Sequence, residues 1–101
     1  MKRPILFVVI SAIGALQLTA QNVEFKASNF KDKKDEMNAI VEKMKGADVI
    51  LKSANEDIAN VRDPHDKFKE ILPVYREAQA FNPNNAKVNL KLGNTLLYTN
   101  E

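Results

Sequence analysis

Between Phe81 and Ala86 the chain carries Asn82-Pro83-Asn84-Asn85, a polar knot set between two stretches of helical periodicity. A proline disfavours helical geometry at the residue before it, so the upstream helix is expected to stop at about Phe81. Pro83 has no N–H to donate, and Asn84 or Asn85 can cap the next helix by accepting from its free N–H groups. Upstream, Phe68, Ile71, Leu72, Tyr75 and Ala78 share one helical face, with Lys67, Lys69, Glu70, Arg76 and Glu77 mostly away from it. Downstream, Val88, Leu92 and Leu96, with the small residue Gly93, form a second stripe. Two helices joined by so short a connection must pack antiparallel.

Further upstream the pattern is regular. Met37, Ile40, Met44, Ala47, Leu51, Ala54, Ile58 and Val61 are spaced 3, 4, 3, 4, 3, 4, 3, one stripe along about seven turns of a single helix. Asp32 or Asp35 is expected to cap its start. Lys43, Lys45, Lys52, Glu56 and Asp57 fall off the stripe and read as a solvated face. The same spacing is the heptad of a coiled coil. Alanines in the stripe favour close packing within the chain, so the intramolecular reading is preferred. This helix is expected to end near Arg62, because Asp63-Pro64 combines a capping side chain with proline at the first helical position. Pro73, inside the following helix, removes the bond to the Lys69 carbonyl and predicts a kink.

Residues 1–20 have the parts of a secretory signal peptide: Lys2 and Arg3, an apolar run from Ile5 to Leu16, and Ala20 before Gln21. Twelve residues are short for a membrane span, which needs about 20. Leu18 is larger than the residue usual three before a cut, and no cysteine follows for lipid attachment. Export to the periplasm, or to the periplasmic face of an outer membrane, is the expectation. The chain has 15 Lys+Arg and 13 Asp+Glu; without Lys2 and Arg3 the balance is 13 to 13, a net charge of zero. Such a chain, with no basic patch interleaved with aromatics, is a poor nucleic-acid binder. Residues 21–31, carrying Val23, Phe25 and Phe30 without a clear period, read as an extended lead-in whose aromatics pack over the first helix.

No constellation for catalysis is legible. His65 is the only histidine, at a helix start; there is no cysteine, and a metal site would need further ligands. Asp35-Glu36 and Glu56-Asp57 are sequence neighbours whose side chains diverge on a helix. Gly14, Gly46 and Gly93 are isolated, so no phosphate loop is present. No enzyme, cofactor or metal is expected. Gly93 costs about 1 kcal/mol relative to alanine in a helix, which predicts close approach of the preceding helix.

The fold class expected is all-α. Tyr75, Ala78 and Pro83, followed by Leu92-Gly93 and Leu96, resemble the tetratricopeptide repeat (TPR), a family of antiparallel helical hairpins. About one and a half repeats fit the helical part, residues 32–101. If Gly46 marks the tight contact of the first helix, its partner on the second, Ile71, lies 25 residues on where that family has 12, so an extended first helix or an insertion is implied around Ser53 to Asp63. By the resemblance, Lys87, Leu90, Asn94, Leu97 and Tyr98 would face a groove that binds a protein or peptide partner. Asn94 matches an asparagine of repeats that clamp carboxylates, but Leu90 stands where their lysine would be, so no clamp is implied. Ala80 to Ala86, with Asn89 to Gly93, is also similar to the leading repeat of exported OmpA-like, peptidoglycan-binding envelope proteins. That likeness implies a scaffold module whose chain continues into further repeats and an envelope-attachment domain, with a part in type IX secretion. Leu90, Leu97 and Tyr98 also read as core awaiting a neighbouring repeat. The alternative is a freestanding small periplasmic helical protein that self-associates through the heptad-like stripe.

Overall fold

The computed structural model describes residues 22–99, and all regular structure among them is helical. The expected leader lies outside the described residues. A 3-10 turn, Ala27–Asn29, precedes three helices: α1 (Lys34–Ala59), α2 (His65–Phe81) and α3 (Ala86–Thr99). At 26 residues α1 is the longest.

Contacts fix the directions. Residues met in rising order along α1, Lys43, Asp48 and Ser53, pair with Glu77, Tyr75 and Lys67 in falling order along α2. The order reverses again where Ala78 packs near Val88 and Phe68 stacks on Tyr98. Both hairpins are therefore antiparallel, and α1 and α3 run the same way against a central α2. The main core joins Ala47 and Ala54 of α1, Phe68, Ile71, Leu72 and Tyr75 of α2, and Leu92 of α3. A smaller cluster of Ile40, Ala78 and Val88 lies at the elbow end. Side chains such as Phe68 and Ile71 each contribute about 1.5–3 kcal/mol by leaving water.

The α1 stripe is buried against α2 except at its end. Met37, Ile40, Ala47 and Ala54 are buried, and Met44, Leu51 and Ile58 pack at the margin. Val61, expected as the last member, is instead 94% exposed and outside the helix. Its φ of 56° is left-handed, and its N–H donates to the Ile58 carbonyl at 3.1 Å while the Arg62 N–H donates to Asp57 at 2.7 Å. These are the two bonds of a Schellman motif, which stops α1 three residues before Arg62 and puts valine where glycine is usual. Asp57, expected on the solvated face, is buried at this corner. Its carboxylate accepts from Lys67 Nζ at 2.8 Å and Arg62 Nε at 3.1 Å. Chiefly the Lys67 bond, then Arg62, hold its pKa below the usual carboxylate range against the opposing pull of desolvation.

The helix starts differ from one another. Neither Asp32 nor Asp35 caps α1, because the N-cap seat falls between them on Lys33, which has no capping side-chain bond. Asp35 and Glu36 instead lie in the first turn, where the helix dipole favours acids. Asp63 Oδ1 accepts from the His65 N–H at 2.9 Å, and α2 continues through Pro73, on its exposed side, to Phe81. Asn85 Oδ1 accepts from the Val88 N–H at 2.9 Å and caps α3.

Two glycines lack the reason the sequence suggested. Gly46 and Gly93 are exposed, and a Cβ on either would meet nothing within 4 Å. No helix approaches closely at either position, because the contact stripes run along other faces.

Candidate functional site

α1 and α3 each pack on α2 and leave a groove between them, and its centre is polar. Tyr75, wholly buried at its ring, passes up from α2 and donates its hydroxyl to Asp48 Oδ1 of α1 at 2.5 Å. Lys91 Nζ of α3 donates to the same oxygen at 3.0 Å and sits 6.0 Å from the centre of the Tyr75 ring. One carboxylate thus joins all three helices. Burial first, then the hydrogen bond to Asp48 and its negative charge, push the Tyr75 pKa far above its ordinary value. Tyr75 therefore keeps its proton at neutral pH and serves as a fixed donor.

On either side of this bridge the groove opens into a cavity. The larger, about 470 Å³, follows Asp48, Leu51, Lys52, Asn55, Glu56 and Ala59 of α1, with Lys91 opposite. Those α1 positions recur at intervals of three and one, a single helix face running about 16 Å at 1.5 Å per residue. Leu51, Ala59 and the lysine stems make an apolar floor, with Asn55 and Glu56 at the rim. The smaller, about 350 Å³, lies towards the elbow between Val41, Met44 and Lys45 of α1, Lys87 and Lys91 of α3, and the lead-in residues Asn22, Glu24 and Phe25. Asp48 and Lys91 border both.

The lead-in closes the elbow end, and it does so as more than an extended strand. Val23 accepts at its carbonyl from Asn82 Nδ2 at 2.8 Å and Asn85 Nδ2 at 2.9 Å, while its N–H donates to the Asn84 carbonyl at 2.9 Å. Asn22 Oδ1 accepts from the Ala86 N–H at 2.9 Å, taking up a free donor at the start of α3. Phe25 packs, as expected, against the cluster that contains Ile40 of α1, and both Phe25 and Phe30 also meet Phe81 at the end of α2, at centroid separations of 6.3 and 4.7 Å.

The residues singled out in the sequence are distributed as follows. Tyr75, Ala78 and Leu92 are buried, Leu96 packs at the core margin, and Pro83 and Gly93 are exposed. Lys87 lines the smaller cavity. Leu90 and Leu97, 67% and 74% exposed, and Asn94, also exposed, are on the open face of α3 and line neither cavity. Tyr98 turns its ring onto Phe68, 4.8 Å centroid to centroid and 11° from parallel. Its carbonyl accepts from His65 Nδ1 at 3.1 Å, which ties the lone histidine to the end of α3. Asp48, Lys91 and the lead-in contacts escaped the sequence reading. The available signal was a charged residue beside the apolar stripe midway along both α1 and α3.

Among the described residues no group of three or more His, Asp or Glu is placed to hold a metal ion. No helix there is long and apolar enough to cross a membrane. Family models, curated proteins and solved structures gave no match to this chain.

Proposed function

We propose that this chain is a non-catalytic protein–protein interaction module, with the groove between α1 and α3 as its receptor for a polypeptide partner. The observation that carries the reading is the groove itself. Its lining follows about three turns of α1 with Leu51 and Ala59 as its apolar members, and the Tyr75–Asp48–Lys91 bridge ties its two walls together. Preorganisation of that kind lowers the ordering cost of association. The antiparallel succession of α1, α2 and α3 is compatible with TPR-type hairpins having an extended first helix. In this reading the chain is the exported, N-terminal scaffold part of an OmpA-like envelope protein, held at the periplasmic face of the outer membrane.

The self-association alternative needs the heptad-like stripe, and Met37, Ile40, Ala47 and Ala54 are already buried within the chain. That favours the groove. A photo-crosslinking amino acid at Asn55, on the groove wall, is expected to give a discrete adduct in the producing cell. The same probe at Val49, 71% exposed on α1 and outside both cavities, is expected to give none. Equal labelling at both positions, or none at Asn55, defeats the proposal.

A further inference from the structure

We infer that the asparagine elbow is itself a peptide-binding site, that residues 22–30 are its occupant in cis, and that the same segment of a second copy can take their place. This site is at the end of the groove, is separate from the 470 Å³ cavity, and does not depend on what that cavity binds.

The chemistry of the contact is that of a receptor and a ligand. Three of the hydrogen bonds involve only backbone atoms of the segment: both the Asn82 and Asn85 amides meet the Val23 carbonyl, and the Val23 N–H meets the Asn84 carbonyl. Donors and acceptors set this way read an extended backbone, as a sheet edge does. Two side-chain features then add selectivity. Asn22 caps Ala86 at the helix start, and three residues later Phe25 stacks on Phe81. The elbow therefore recognises Asn-x-x-Phe with the backbone open at Val23 and bent at Phe25, where the Lys26 N–H donates to the Glu24 carbonyl at 2.9 Å, and Phe30 adds a ring beyond the 3-10 turn.

A site that would suit water just as well would not be built in this way. Asn82 and Asn85, in the connection between α2 and α3, are only 2% and 7% exposed, and both their amides donate to the Val23 carbonyl of the segment. Between the segment and α1 only the polar residues Lys31, Asp32 and Lys33 intervene, all exposed. The segment is thus joined to α1 by a short solvated turn closed by the Lys33 N–H on the Phe30 carbonyl at 2.9 Å, which exchange would have to open, and every other copy of the chain carries an identical ligand.

The test uses a fluorescent peptide of residues 22–31 and the full chain, read by anisotropy. In the chain, Val23→Pro removes the N–H that Asn84 accepts and weakens the cis occupant. The peptide is then expected to bind saturably and about ten-fold tighter than to the unaltered chain, the effect of roughly one hydrogen bond. Adding Asn82→Ala to Val23→Pro is expected to weaken peptide binding about ten-fold, again the effect of roughly one hydrogen bond, and a peptide of scrambled order is expected not to bind. If Val23→Pro fails to fold by circular dichroism, Phe25→Ala with Phe30→Ala replaces it as the weakened occupant. A folded variant that ignores the peptide, equal binding of the scrambled peptide, or unfolding of both variants overturns the inference. The last outcome makes the segment an inseparable part of the core.

Discussion

At the scale of single residues, Gly46 and Gly93 carry the sharpest consequence. Each sits inside a helix, exposed, with open space where a Cβ would go. Glycine there costs about 0.8–1.0 kcal/mol relative to alanine, because the unfolded chain has more freedom to lose and nothing in the fold requires the missing side chain. Gly46→Ala and Gly93→Ala are each expected to raise stability by up to about 1 kcal/mol, and together by the sum, since the sites share no partner. Urea midpoints at constant m-value measure this, and a loss of stability would mean that another surface approaches these positions. The sequence reading failed here for a physical reason. A glycine in an apolar stripe and a glycine beside one look alike until the crossing point of the helices is known. The same ambiguity hid Asp48, one residue past Ala47, whose carboxylate turns out to be the meeting point of three helices.

At the scale of elements, the ends of the helices are governed by different devices, and only some were legible. The break at Asn82 to Asn85 was legible because proline and asparagine act locally, and α2 stops at Phe81 as they require. The end of α1 was not, because a Schellman corner with valine at its left-handed position has no glycine to announce it. A β-branched residue in that conformation costs about 1–2 kcal/mol, and Val61 regains almost nothing by burial. Val61→Gly is therefore expected to stabilise the fold by about 0.5–1 kcal/mol, after allowing for the greater freedom of glycine in the unfolded chain. Thermal unfolding of the variant checks it, and a decrease in Tm would contradict the assignment. The neighbouring Asp57 gives the corner a pH dependence. Its folded pKa is depressed, so its contribution is present above the ordinary carboxylate range and is lost as pH falls through the lowered value. Asp57→Asn should flatten the acid limb of stability against pH.

At the scale of the molecule, the Tyr75 bridge couples all three helices to a single proton. Its folded pKa is raised, so folded and unfolded chains are equally protonated at that group below about pH 10, the ordinary tyrosine value. Above it only the unfolded chain releases the proton, and stability falls by up to about 1.4 kcal/mol per pH unit, the limit for one group. Urea melts between pH 8 and 11 are expected to show this fall in the unaltered chain and a shallower one in Tyr75→Phe. Identical slopes would exclude the bridge as the cause. The all-helical class, the antiparallel hairpins and most of the core were readable in advance, because helical periodicity and proline breaks are short-range signals. The docking of the lead-in was not, because its partners lie about sixty positions away and its own residues show no period.

That separation has one more consequence. Asn82 and Asn85 reach Val23 across 59 and 62 positions of chain, whereas α1 and α2 meet through a five-residue corner. Closure over so long a span is entropically late. In a chain delivered amino end first, residues 22–30 wait unlatched and open to capture until most of the helical body has followed them.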